Sequence, residues 1–312
     1  MYIRTSEGLG ERPLEYGLGG PGGCWPDAAT KGTLCWFMSK NGGSKTAVYV
    51  PDAARAINPV RLLVWIHGDF SCGGEGPDAS SYVKSQTFPL AQQLTDSKQP
   101  FVLVAPSMHW DGSWTPKPKG KPISNKVFHM LGSPKTMNAF LDEVRTGLTR
   151  AGWSSVPSPG RLILAGHSRA HVVLNALAAS VNDEEWKKGA LATLTDVWLL
   201  DTTYGKNNKD AICNNWLKWA QVKGGGVNLR IFYIKDSDTA AVAECIRDRA
   251  RAAGLSNVTV QGISSHCSLP RDHMPGLLAA SVQAPLVLPR FRTVADEPSW
   301  IDTLRRRPMP AR

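Results

Sequence analysis

One segment constrains the fold more than any other: RLILAGHSRAHVVLNAL, residues 161–177. An apolar run of strand character, Arg161–Ala165, passes through Gly166-His167-Ser168-Arg169-Ala170 into an apolar helical run from about Ala170 to Ser180. A strand that turns this sharply into a helix needs small side chains two before and two after the central residue. Gly166 and Ala170 meet that need, with alanine where glycine is usual. Ser168, at the centre, is then lifted above the sheet as a nucleophile. Read structurally, it would only cap the helix; the buried strand before it and the apolar helix after it favour the nucleophile. Arg169 is a less usual fourth residue. His167 is expected to support the turn rather than act as a base.

The same alternation runs along most of the chain. Thr33–Ser39 and Thr46–Val50 are strand-like and flank Asn41-Gly42-Gly43, a hairpin pattern. Val60–Ile66 and Phe101–Ala105 are nearly continuous apolar runs, as in strands buried on both faces. Ser133-Pro134 opens a helix whose residues Met137, Phe140, Leu141, Val144 and Leu148 share one face, with Gly152 as its stop. Strands at 197–200, 229–234 and 258–263 alternate with helices at 210–222, 239–253 and 275–284. A hairpin followed by repeated strand–helix units predicts a mostly parallel sheet with helices on both faces. No internal repeat is present. Residues 1–32, rich in Gly and Pro, are expected to form an irregular arm ahead of a domain spanning 33–284, with a basic tail over 285–312.

A second signal is Trp65-Ile66-His67-Gly68-Asp69-Phe70 at the end of an earlier strand. With the Gly-x-Ser-x-small turn about 100 residues later and a late histidine, the chain resembles the α/β-hydrolase superfamily over about residues 33–284. The resemblance implies an eight-stranded, mostly parallel sheet and a Ser–acid–His triad. It also implies an oxyanion hole made by the backbone N–H of Asp69 (or Phe70) and that of Arg169. Two fixed donors would stabilise the charge of a tetrahedral intermediate, and losing one such donor costs about 3–4 kcal/mol. His67 reads as a structural histidine holding the turn.

Three aspartates satisfy the chain order Ser…Asp…His: Asp201 after VWLL, and Asp236 and Asp238 after LRIFYI. Asp201 is preferred, because a carboxylate at the abrupt end of a buried strand needs a partner and a catalytic histidine would be one; Asp238 is the alternative. For the base, His266 is preferred over His273. It follows the last strand by two or three residues, whereas His273 is expected just before a helix starting near Pro275. His171 is expected on the helix after the nucleophile, packed or exposed.

The segment at about 106–132 has no periodicity, and loops this long are usually functional or disordered. It leaves the ligand-binding edge of such a sheet. Its Trp110 and Trp114, together with Phe70, are expected to form an aromatic wall around an acyl or aryl group. His109 and His129 also lie near or in this loop. Metal-ligand spacings such as HExxH are missing, so neither metal nor cofactor is expected. The partner is then a small-molecule ester or acyl compound. The function is a serine hydrolase of carboxylic esters, or of related thioesters or amides. An acyltransferase or cyclising thioesterase with the same triad, and a binding protein on a hydrolase scaffold, are the alternatives.

The formal charge is +10, but six arginines against three acids in residues 289–312 supply part of it and the rest is scattered. With no accompanying recognition motif, a nucleic-acid partner is not expected. Apolar runs fall far short of the roughly 20 residues that span a bilayer, so no membrane span is expected. No basic segment followed by an apolar stretch opens the chain, so no leader is expected in it. Residence in the cytoplasm, or outside the cell after loss of a leader, both stay open. Six cysteines without CxxC spacing argue against zinc and permit disulfides, Cys24 and Cys35 being close enough to staple the N-terminal segment.

Overall fold

The computed structural model describes residues 23–39, 41, 45–68, 72, 83, 88–107, 130–223 and 226–283. Among them a single sheet is built from β1 (Cys24–Asp27), β2 (Gly32–Met38), β3 (Lys45–Pro51), β4 (Val60–Ile66), β5 (Phe101–Pro106), β6 (Pro159–His167), β7 (Leu194–Leu200), β8 (Asn228–Ile234) and β9 (Val258–Ile263). The order across the sheet is β1-β2-β3-β5-β4-β6-β7-β8-β9. The first three strands and the β3–β5 contact are antiparallel, and every pairing from β5 through β4 to β9 is parallel.

The sheet has nine strands where eight are expected. The extra one is β1, which lies inside the arm expected to be irregular. Four residues with a proline at position 26 carry no period-two signal, and an edge strand tolerates that proline. Pairing across the chain decides here: Cys24 stands opposite Cys35 in the register, and the two form a disulfide.

The helices are α1 (Leu90–Asp96), α2 (Pro134–Gly147), α3 (His171–Ala179), α4 (Lys209–Lys223), α5 (Ala240–Ala252) and α6 (Leu269–Gln283). Side chains alternate across each strand, so β4 sends Leu62, Val64 and Ile66 to one face and Leu63 and Trp65 to the other. The first face packs on α2, α3, α4 and α5, the second on α1 and α6. Each large apolar side chain buried in this way contributes roughly 1.5–3 kcal/mol. That two-sided burial is why β4, β5 and, from Val197 on, β7 read as nearly continuous apolar runs.

Local signals account for α2. The Ser133 side chain accepts a hydrogen bond from the Thr136 N–H, Pro134 occupies the first turn, and Gly152 stops the segment at φ 108°. The last helix departs from expectation, starting at Leu269 rather than near Pro275. The Asp272 N–H already bonds the Ser268 carbonyl, Pro270 falls in the first turn, and Pro275 is accommodated inside the helix. No helix among the described residues is long and apolar enough to cross a membrane. Residues 108–129 and the tail 284–312 lie outside the described residues.

This topology positions the site. From β4 the chain steps to β5 on one side, and β6 then pairs with β4 on the other. Ligands of open α/β sheets bind outside the carboxyl ends of the strands at such a reversal. His67-Gly68 leave β4 at that point, and Ser168 leaves β6.

Candidate active site

Ser168 follows β6 directly and begins a short 3-10 turn, Ser168–Ala170, that runs into α3. His167 is still extended at φ −122°, while Ser168 sits at φ 55°. A left-handed backbone costs a non-glycine residue about 1–2 kcal/mol, and such strain persists where the surroundings enforce it. The enforcement is visible. A Cβ on Gly166 would come within 2.7 Å of the Ala170 Cβ and 2.6 Å of Leu174 Cδ1. A Cβ on Gly68 would lie 2.5 Å from the Ser168 Cβ and 2.9 Å from the His167 carbonyl oxygen. The strand-to-helix reversal and the β4 end therefore both need glycine, and they close on the serine from two sides. Arg169 is the second residue of the turn, among the first N–H groups of a helical segment, which lack intrahelical partners.

The register sets Asp201 beside Ser168. His167 of β6 pairs with Leu200 of β7, so Ser168 and Asp201 leave neighbouring strands at the same level. Asp201 too has a positive φ, 52°, and is 2% exposed. Its N–H bonds the Phe232 carbonyl at 2.7 Å. Oδ2 lies 2.5 Å from His266 Nδ1, while Oδ1 accepts from the Thr239 hydroxyl at 2.5 Å and the Ile234 N–H at 3.2 Å. Burial pushes its pKa up, but the bonds from His266, Thr239 and Ile234 outweigh that and hold it below the ordinary carboxylate value.

His266 sits on the loop that leaves β9, with its side chain about a quarter exposed. Its Nδ1 faces a carboxylate, so Nδ1 carries the hydrogen and Nε2 is the basic nitrogen. Its carbonyl oxygen is 3.0 Å from His167 Nε2, and the next residue, Cys267, is bonded to Cys72. Among the described residues no hydrogen bond joins Ser168 to His266. Tyr204 lies close by; burial, and then the Asp201 charge, raise the pKa of this tyrosine.

The structure thus brings Ser168, Asp201 and His266 together and leaves the alternatives apart. Asp238 and Asp236 are exposed beyond β8. His273 lies inside α6, not ahead of it, with its ring 4.7 Å from that of Phe232. His171 opens α3 and packs against Tyr204 at 5.2 Å. His67 is fully buried with Nδ1 2.7 Å from the Gly68 carbonyl oxygen. Asp69, Phe70, His109, Trp110, Trp114 and His129 lie outside the described residues. Among the described residues no group of three or more His, Cys, Asp or Glu side chains could hold a metal ion.

Two residues of the site, Thr239 and Tyr204, escaped the sequence reading. Thr239 is 38 positions from Asp201 and follows Asp238, the alternative acid. Tyr204 lies three residues after Asp201, but nothing in its spacing marks it.

No family model and no curated protein matches the chain. Solved structures do. An S-formylglutathione hydrolase from Staphylococcus aureus aligns over 87% of this chain and 100% of its own, at 11% identity and a TM-score of 0.51. A putative dienelactone hydrolase from Klebsiella pneumoniae covers 77% and 93% at 16% identity and a TM-score of 0.46. A second S-formylglutathione hydrolase, from Agrobacterium tumefaciens, covers 83% and 97% at 14% identity and 0.47. The first likeness is one of fold, and the weaker two add nothing to it.

Proposed function

We propose that this chain, whose fold is that of the α/β-hydrolases, is a serine hydrolase of carboxylic esters or of related thioesters or amides. The observation that carries the reading is the 2.5 Å pair between His266 Nδ1 and Asp201 Oδ2, set beside a serine held at φ 55° on the neighbouring strand end. A buried carboxylate, an imidazole with its basic nitrogen left over, and a serine on a sharp turn are the parts that acyl transfer needs.

In this mechanism the Ser168 Oγ attacks the substrate carbonyl carbon while His266 Nε2 takes the hydroxyl proton. Asp201 keeps the proton of His266 on Nδ1 and stabilises the imidazolium. The negative oxygen of the tetrahedral intermediate is met by the Arg169 N–H and by an N–H of Asp69 or Phe70. His266 then gives its proton to the leaving group, and the carbonyl reforms as a Ser168 acyl ester. Water, deprotonated by the same histidine, hydrolyses that ester. A nucleophile–base hydrogen bond is often long before substrate binds and tightens in the complex. The aromatic wall assigned to Phe70, Trp110 and Trp114 belongs to this proposal. So does residence in an oxidising compartment, supported by Cys24–Cys35, Cys72–Cys267 and Cys213–Cys245, with no free cysteine among the described residues.

The test is labelling by a fluorophosphonate with the adduct mapped by mass spectrometry, together with turnover of a short-chain nitrophenyl ester. Ser168→Ala should lose the label and reduce turnover by about 10³–10⁶-fold while the fold persists. Near-normal ester hydrolysis by that variant would sink the mechanism.

A further inference from the structure

His167 is expected from the sequence to support the turn at the nucleophile, and the structure gives its side chain another task. The residue is 1% exposed. Its Nε2 lies 3.0 Å from the main-chain oxygen of His266, 99 residues away in sequence. The two imidazoles stack with centroids 4.4 Å apart and planes tilted by 34°, and Phe88 packs against His167 at 5.6 Å.

A carbonyl oxygen only accepts, so Nε2 must carry the hydrogen and Nδ1 is the bare nitrogen of the neutral ring. Nδ1 is buried and has no hydrogen-bond partner among the described residues. A buried polar atom left unpaired is costly, and a leucine or phenylalanine would fill the space without that cost. The histidine therefore contributes something that an apolar side chain cannot, and among the described residues its side chain's polar contact is to the backbone of His266. Its neutrality matters as well. Burial, and then the neighbouring His266, depress its pKa to about 3; Asp201 and His67 are the other titratable groups acting on it. A second cation stacked on His266 would oppose the imidazolium that the base becomes, and this ring does not supply one.

We infer that His167 is a positioning residue for the base: its Nε2–H holds the His266 main chain so that Nδ1 meets Asp201 and Nε2 is left for the nucleophile's proton. The inference rests on the reading of Ser168, His266 and Asp201 as a triad. It adds that the residue before the nucleophile orients the base directly, across the active site, without touching substrate. The contact is complementary to the Cys72–Cys267 disulfide, which anchors the same loop one residue further on.

Two variants test it. His167→Phe keeps a flat ring and removes the donor; His167→Gln keeps a terminal N–H donor of similar reach. Turnover is expressed per site labelled by fluorophosphonate, so that unfolded protein is not counted. His167→Phe should lower kcat about 10- to 100-fold with KM within a factor of two, as misplacement of a catalytic group does, and should shift the acid limb of the pH–rate profile. His167→Gln should recover most of the loss. Independently of turnover, the low-field proton resonance of the His266–Asp201 pair should weaken or vanish in His167→Phe and persist in His167→Gln. A kcat per labelled site within twofold of wild type in His167→Phe, an equal loss in both variants, or unfolding of both would each overturn the inference. If the wild-type chain takes no label at Ser168 and turns over no ester, the hydrolase reading fails. The resonance still decides the positioning role, and an unchanged signal in His167→Phe overturns it.

Discussion

Asp196 and Asp201 stand near opposite ends of the same strand, β7, and both are almost wholly buried, at 0% and 2% exposure. Their environments push them in opposite directions. Asp196 Oδ1 receives Asn228 Nδ2 at 3.2 Å and Arg230 Nε at 3.3 Å, while its Oδ2 has no hydrogen-bond partner among the described residues. Burial dominates there, and its pKa is raised despite Arg230. Asp201 has shorter bonds from two side chains and one from a backbone N–H, and its pKa is lowered. Burial alone therefore does not make a carboxylate a stable anion; donors shared between its two oxygens do. At the amino end of β7 burial favours the neutral acid, and at its carboxyl end the donors favour the anion.

The largest expected contrast is catalytic. Asp201→Asn should cut turnover by about 10⁴-fold by favouring the wrong histidine tautomer. Asp196→Asn should leave kcat within about twofold and act on the melting temperature alone. Steady-state kinetics and calorimetry on the two variants settle this, and equal catalytic losses would erase the distinction between the two ends.

Next come the tethers. Cys72–Cys267 closes a loop of 195 residues and adjoins His266, whereas Cys213–Cys245 joins α4 to α5. In the chain-entropy account each contributes about 3–5 kcal/mol. Replacing either pair by serine should lower the denaturant midpoint, but only Cys72→Ser/Cys267→Ser should also lower kcat in the protein that remains folded. A folded Cys213→Ser/Cys245→Ser variant with the greater kcat loss would show that the loop of the base needs no anchor.

Thr239→Val probes the donors to Asp201 one at a time. Hydrogen bonds to charged groups contribute about 1.5–3 kcal/mol, so kcat should fall roughly tenfold and the acid limb of the pH profile should move upward. An unaltered profile would mean that His266 and the Ile234 N–H suffice.

The smallest effect is on stability against pH, and the two acids have opposite signs. For Asp201 the folded pKa lies below the unfolded one. Between the two the unfolded chain binds more protons, so stability rises with pH and is lost as pH falls through the folded pKa. For Asp196 the folded pKa lies above the unfolded one. There the folded chain binds more protons, and stability is lost as pH rises through that window. Urea midpoints across the acid range should show Asp201→Asn removing a rise and Asp196→Asn removing a fall.

What the amino-acid sequence determined by itself was everything carried by neighbours along the chain. Apolar runs marked the strands, the Ser133-Pro134 start and Gly152 stop marked α2, and Gly166-His167-Ser168-Arg169-Ala170 marked the reversal that bears the serine. These are short-range effects of sterics and local hydrogen bonding. The choice among Asp201, Asp236 and Asp238 could be argued from the end of a buried strand, but the pairing with His266 depends on β7 lying between β6 and β8, which no local pattern encodes. Strand β1, Thr239 bonding 38 residues back, Tyr204 packed on the His171 ring, the pairing of six cysteines, and His167 reaching across 99 residues to the His266 main chain are all contacts between distant segments. Only the tertiary structure decided them. A side chain's partners across the sheet depend on strand order and register, and those are set by the packing of the whole core rather than by the residues on either side.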